Sequence, residues 1–199
     1  MDPASVQTVV LAAGSSVRMG RDKLVAPFAG VPLARRVVGA LAPLGPLVVT
    51  TPAVAEAVGE IPGVRFLLTP PTDGPGLTLA LADAAVPPEL HLAVLACDLP
   101  FIDAGAVTAF LAAVPEEADL AFPEVDGTPG HPVVWSPAAR RRIPGLRPDE
   151  PPAVVRRDRA LRVLGIALRD ERYVIDVDTS DAWAAAERRA AECEGREVR

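Results

Sequence analysis

The densest group of chemically capable residues in the chain is Leu11-Ala12-Ala13-Gly14-Ser15-Ser16-Val17-Arg18-Met19-Gly20-Arg21-Asp22-Lys23. Small residues following an apolar run let backbone N–H groups come close to phosphate oxygens. Arg18 brings a planar fork that suits two phosphate oxygens. Lys23 brings a point charge that can follow negative charge onto a leaving group. The stretch is not a Walker A loop, because no Gly-Lys-Ser/Thr closes it, and it holds no Gly-x-Gly-x-x-Gly fingerprint. Farther along, Asp98 follows an apolar run and precedes Leu99-Pro100. A hard cation such as Mg²⁺ takes one or two carboxylates and completes its shell with phosphate and water. Asp176 and Asp178 alternate, which on a strand turns both carboxylates to one side. Plainer readings stand beside these: a glycine turn with two solvated cations, a capping role for Asp98, and a helix-dipole role for the late pair.

The elements that must position these residues follow from the apolar pattern. Val6 to Leu11 is a buried strand that ends at the small-residue loop. A helix follows Pro32, with Leu33, Val37, Val38 and Leu41 at helical spacing. Strands are expected over Leu47 to Thr51, Val64 to Thr69 and Leu90 to Cys97, and helices over Val54 to Val58, Leu77 to Ala85 and Asp103 to Val114, with Asp103 as N-cap. Ala118 to Pro123 and His131 to Trp135 read as further strands. Pro144 to Pro152 reads as an exposed loop, and Arg162 to Leu168 with Tyr173 to Val177 as a last pair of strands. A helix over Ser180 to Glu192, capped by Thr179 or Ser180, completes the set. Short apolar strands alternating with helices imply a mainly parallel sheet covered on both faces. Ligands then bind beyond the carboxyl ends of the strands. The loops after Leu11 and after Cys97 lie at such ends.

Composition narrows the class. Half of the 199 residues are apolar but only 4% are aromatic, so the core is built from Val, Leu, Ala and Ile. One domain over residues 1–199 is expected from this length. The formal charge is -6, which argues against a nucleic-acid surface. No run is apolar and long enough to span a membrane, and the start lacks the basic, then apolar, character of a signal peptide. A cytoplasmic protein and, most simply, a monomer are expected. Cys97 and Cys193 fit no metal spacing and suggest no disulfide. The Arg140-Arg141-Arg142 run reads as a solvated helix end.

The first segment resembles the signature of the MobA-like nucleotidyltransferases, L-A-[AG]-G-x-S-x-R-M-G-x-x-K, and matches it at every fixed position. The resemblance implies a three-layer α/β/α Rossmann-like fold of the nucleotide-diphospho-sugar transferase kind, with a mostly parallel sheet and an antiparallel addition. It implies that Leu11, Ala12, Ala13, Gly14 and Ser15 line the base, ribose and phosphates of a nucleoside triphosphate, and that Arg18 and Lys23 hold the triphosphate. Asp98 stands where that family places its main metal aspartate. Asp176-Val177-Asp178-Thr179 is similar to its late Asp/Asn-x-Asp/Asn-Thr segment, with Asp178 as the metal ligand and Asp176 as support. Asp73-Gly74-Pro75-Gly76-Leu77-Thr78 resembles its base-recognition loop, which brings in Asp73 and Thr78. Gly130-His131-Pro132 resembles its acceptor-side Gly-x-Pro, which brings in His131. Two departures are visible: Ser180-Asp181 replaces Pro-Glu-Asp, and Pro148-Asp149-Glu150-Pro151-Pro152 lacks the glycines of the Gly-Asp-x-Gly-Ala-Arg stretch found in cofactor cytidylyltransferases.

The activity implied is Mg²⁺-dependent transfer of a nucleoside monophosphate, CMP or GMP, to a small phosphorylated acceptor, with release of pyrophosphate. Molybdopterin is the first acceptor expected, and a sugar phosphate or phospholactate the second. Leu-Ala-Ala-Gly is more typical of cytidylyl transfer, and Leu-Ala-Gly-Gly of guanylyl transfer. A non-catalytic nucleotide-binding protein that delivers the cofactor is an alternative. A nicotinamide oxidoreductase is disfavoured by the missing glycine fingerprint.

Overall fold

The computed structural model describes residues 1–14, 22–72 and 74–197. Ser15, Arg18 and Asp73 therefore lie outside the described residues. The strands are β1 Val6–Ala12, β2 Pro27–Phe28, β3 Val31–Pro32, β4 Leu47–Thr50, β5 Arg65–Leu68, β6 His91–Ala96, β7 Leu120–Val125, β8 Thr128–Pro129, β9 Val133–Trp135 and β10 Val163–Leu168. The helices are α1 Leu33–Leu41, α2 Pro52–Val58, α3 Pro75–Ala84, α4 Ala104–Ala113, α5 Pro137–Arg140 and α6 Ser180–Glu197.

Among the described residues the main sheet has the order β10-β7-β9-β6-β1-β4-β5, with β8 paired to β7. β1 runs parallel to β4 and β6, β4 to β5, and β7 to β10. β9 is antiparallel to both of its neighbours, β6 and β7. The sheet is thus mostly parallel with an antiparallel insertion. The reversal matters for the site: because β9 runs backwards, its start lies at the same edge as the ends of β1 and β6. Strand alternation splits the core between the two faces. Val10, Val48, Ala93 and Leu95 pack with α1, α2, α4 and α6. Val9, Val49, Leu92 and Val94 pack with α3 and α5. Three layers result. No helix among the described residues is long and apolar enough to cross a membrane.

Local chemistry explains where the helices begin. The Thr51 hydroxyl accepts from Val54 N at 3.3 Å and starts α2, with Pro52 in its first turn. Asp103 accepts from Ala106 N at 2.7 Å and caps α4, as expected. Thr179 rather than Ser180 caps α6, accepting from Ala182 N at 3.1 Å.

Two expectations are corrected. Tyr173 to Val177 is not a strand, and the partner of β10 is β7. The apolar residues of that segment are buried under the end of the sheet instead, with Tyr173 and Val177 in the core and the Tyr173 hydroxyl donating to Ala106 O at 2.7 Å. The stretch from Pro144 to Pro152 is a mostly exposed loop, as expected, and it docks on α3 through a 3.1 Å bond from Leu77 N to Pro148 O. Arg140 is not solvated. It is buried, pairs with Asp83 at 2.6 Å and donates to the carbonyls of Asp83, Val86, Pro87 and Leu90. Those carbonyls close the C-terminal end of α3 and the loop after it, where a cation is favoured.

Candidate active site

The carboxyl edge of the sheet brings together residues that are distant in the chain. Lys23 is placed by its neighbours: the Asp22 carboxylate accepts from Leu24 N at 3.0 Å, and Leu24 O accepts from Ala34 N at 3.0 Å, which ties the turn to α1. Asp98 lies just past β6. Its carbonyl accepts from Val177 N at 3.2 Å, stitching the end of β6 to the segment that carries Asp178. Val177 is fully buried and anchors that segment.

The Lys23 Nζ donates to Asp98 Oδ2 at 2.7 Å and also to Asp178 Oδ1. Two carboxylates, one from mid-chain and one from near its C-terminal end, therefore share one cation. Burial works against the Lys23 charge, but Asp98 and Asp178 outweigh it and hold the ammonium above its ordinary range. Asp176 lies close by, and burial, followed by the charges of Asp178 and Asp98, pushes its carboxyl above the usual carboxylate range. Among the described residues, three carboxylates and one ammonium interact at this corner. Among the described residues no group of three or more side chains forms a ready metal cage. The pair Asp98 and Asp178 nevertheless fits a Mg²⁺-type ion, which takes its remaining ligands from phosphate and water.

Beside the cluster opens a cavity of about 450 Å³, within the range of small-ligand sites. Its walls include Leu11 in β1, Ala13 and Gly14 just after it, and Thr72, Gly74 and Thr78 around the start of α3. Asp98, His131, Val133, Trp135, Pro151, Pro152 and Arg156 complete much of the rest. Ala12 departs from this set: its side chain is buried in the core on the other face, and its carbonyl accepts from Thr50 Oγ1 at 3.2 Å. The alternation of β1 requires this once Leu11 and Ala13 face the cavity. The Thr78 hydroxyl lies 2.7 Å from that of Thr72, and Thr72 N donates to Ala13 O at 2.9 Å, so this wall is internally braced. Cys97 points into the core opposite, where burial pushes its thiol far up, leaving it inert.

His131 enters at the start of β9. Its N donates to Tyr173 O at 2.9 Å, and its Nδ1 lies 3.3 Å from Val94 O. A carbonyl only accepts, so that contact places the proton on Nδ1 and leaves Nε2 as an acceptor. Burial, with Arg156 adding to it, lowers the pKa, so the ring is neutral at pH 7. A Cβ on Gly130 would sit 2.3 Å from Tyr173 O, which explains the glycine before His131.

Arg156 is the residue that sequence reasoning missed. It rides on the 3₁₀ turn Pro152–Arg157, its guanidinium 4.2 Å from the Phe122 ring centroid. Its Nε is buried without a hydrogen-bond partner, and burial disfavours its charge. A buried donor without a partner on a cavity wall is available to a ligand or a water there. The signal in the sequence was faint: one arginine among several, just beyond a stretch read as exposed loop.

Fold and cavity together define a three-layer α/β protein with a ligand-sized cavity at its strand ends. Residues 8–163 match the family described as the MobA-like NTP transferase domain. The chain belongs to that family and is a nucleotidyltransferase. It is 34% identical over 151 residues to a probable molybdenum cofactor guanylyltransferase of Nostoc sp., covering 71% of this chain and 70% of that protein. It is 33% identical over 131 residues to a molybdenum cofactor guanylyltransferase of Rhizobium leguminosarum bv. trifolii. That match covers 65% of this chain and 62%, less than two thirds, of the relative. Among solved structures, an Rv0371c homologue from Mycobacterium sp. strain JC1 superposes with a TM-score of 0.80 at 23% identity, over 96% of this chain and 98% of that one. The Mycobacterium tuberculosis Rv0371c complex with manganese gives 0.73 at 17% identity, over 91% and 97%.

Proposed function

We propose that this chain transfers the guanylyl group of GTP to the phosphate of a molybdopterin-type acceptor and releases pyrophosphate, acting on Mg²⁺-bound nucleotide. The single observation that carries the reading is the convergence of Lys23, Asp98 and Asp178 on one ion cluster at the mouth of a nucleotide-sized cavity. The names of the curated relatives support the base and the acceptor. Cytidylyl transfer is the second reading, favoured by Ala13, whose Cβ narrows the cavity wall beside the base.

In this reading an acceptor phosphate oxygen attacks the α-phosphorus in line, and the bond to the bridging oxygen of pyrophosphate breaks. The acceptor is already anionic, so no strong base is needed, and positioning and charge neutralisation carry the catalysis. Asp98 and Asp178 hold the divalent ion, with Asp176 in support. When bound, that ion supplies positive charge to the phosphate oxygens between donor and acceptor. Leu11, Ala13, Gly14 and Thr78 flank the nucleoside, with the backbone of Ala12, and the resemblance to the family adds nucleotide-binding roles for Ser15 and Asp73. Lys23 and Arg18 neutralise the leaving pyrophosphate. We assign the acceptor phosphate to Arg156, with neutral His131 beside it offering Nε2 to an acceptor donor group. In this reading the active unit is a monomer of one nucleotidyltransferase domain.

The test is a pyrophosphate-release assay with molybdopterin, comparing GTP, CTP, ATP and UTP with and without Mg²⁺. Mg²⁺-dependent release with GTP is the expected result. Release with CTP alone would select the second reading, and absence of release with every nucleotide, despite nucleotide-induced thermal stabilisation, would leave a binding protein.

A further inference from the structure

Lys23 stands between the two carboxylates assigned above to the divalent ion, bonded to both. An ammonium and a divalent cation on the same two oxygens repel strongly at such distances, so the pair accommodates one of them at a time. We propose that Lys23 is an internal stand-in for the metal, which closes the pair Asp98 and Asp178 until nucleotide binding draws the ammonium onto phosphate and the divalent ion takes its place. The inference rests on the assignment of those two carboxylates to the metal.

Three observations carry it. First, Asp98 is largely buried, with 19% of its side chain exposed, and an ionised carboxylate in such a place needs a counter-ion when no metal is bound. Lys23 supplies that charge from within the chain. Second, the backbone just after Lys23 is tied down, by the Asp22 carboxylate on Leu24 N and by Leu24 O on Ala34 N. The exchange therefore needs only rotation of a flexible four-carbon stem. Third, Lys23 is the only lysine among 20 basic residues; the other 19 are arginines. An arginine fork would clasp the carboxylates in a bidentate grip and resist leaving, whereas a compact ammonium on a flexible stem exchanges partners readily. The one place where this chain uses lysine is the one place where its cation must move.

If ammonium and metal compete, a triphosphate that removes the ammonium strengthens metal binding, and the coupling is reciprocal. The experiment measures Mn²⁺ binding to the full, nucleotide-free chain by electron paramagnetic resonance. Lys23→Met is expected to bind Mn²⁺ about tenfold or more tightly than the wild type, within the usual range of such couplings. Lys23→Arg is expected to bind it more weakly than the wild type. An affinity in Lys23→Met no higher than in the wild type overturns the proposal. So does Mn²⁺ binding that survives unchanged in Asp98→Asn, because the ion would then sit elsewhere.

A second measurement needs no variant. With a single ε-amine in the chain, acylation at Lys23 can be followed by mass spectrometry, with the terminal α-amine as internal reference. Millimolar Mg²⁺ is expected to accelerate it several-fold by releasing the amine from its ion pairs, and an unchanged rate overturns the proposal. None of these arms contains nucleotide. A failure of nucleoside triphosphates to bind would thus count against the transfer reaction while leaving the exchange to be decided on its own.

Discussion

At the scale of single residues, charge placement governs the site. Lys23 and Asp98 are largely buried partners, so removing either leaves its counterpart in a poorly solvated corner. Lys23→Ala and Asp98→Ala are each expected to lower kcat/KM for nucleotidyl transfer by about 100-fold or more, the usual cost of losing a preorganised electrostatic contact. Circular dichroism of the same variants should show a folded chain, and near-native turnover in either would remove that residue from the mechanism. Arg156 makes a different prediction. Its unpartnered Nε and its perch over Phe122 fit it to hold an anion rather than to stabilise the fold. Steady-state kinetics of Arg156→Ala should show the KM for the acceptor raised about tenfold, as for loss of one charge-assisted contact, with the KM for nucleotide nearly unchanged.

At the scale of elements, close backbone approach builds the cavity wall. A Cβ on Gly74 would lie 2.1 Å from Pro148 O, and one on Gly76 2.4 Å from Arg147 O. Both obstacles are backbone, so the docked 147–150 segment would have to move. Gly74→Ala is expected to cost about 1–3 kcal/mol of stability in urea titrations, as overpacking does. Because the same segment leads to Arg156, the variant should also weaken acceptor binding, a joint effect that a purely local strain would not produce. This segment also shows how an apolar pattern misleads. Tyr173 to Val177 has the look of a strand because its large residues are buried, but its backbone bonds run to His131 and Asp98 rather than into a ladder. Burial and strand pairing leave the same trace in a short run of residues.

At the scale of the whole molecule, stability should depend on pH through the two histidines. Burial is the main reason that both His91 and His131 titrate below their ordinary value, and nearby cationic charge adds to it. The folded chain therefore binds fewer protons than the unfolded chain just below pH 6.5. The stability held by the neutral rings is complete above that range and declines as the pH falls through it. The melting temperature is expected to drop between pH 7.5 and about 5.5 by an amount that shrinks when His91 and His131 are both replaced by glutamine. An identical slope in the double variant would assign the effect to other groups.

Much of this protein was legible before any contact was known, because local chemistry decides it. The apolar run of Val6 to Leu11, the small residues behind it, the carboxylate after Cys97, and the caps at Asp103 and Thr179 act through neighbours a few positions away, where sequence spacing and spatial spacing coincide. Tertiary structure alone reversed β9 and so brought His131 to the strand ends, buried Arg140 under the end of α3, and carried Arg156 to a cavity wall. It also set Lys23 between carboxylates 75 and 155 positions away. Which distant groups meet depends on strand order and loop docking, which are settled by packing the whole chain at once; the residues themselves carry only their capacity for the chemistry.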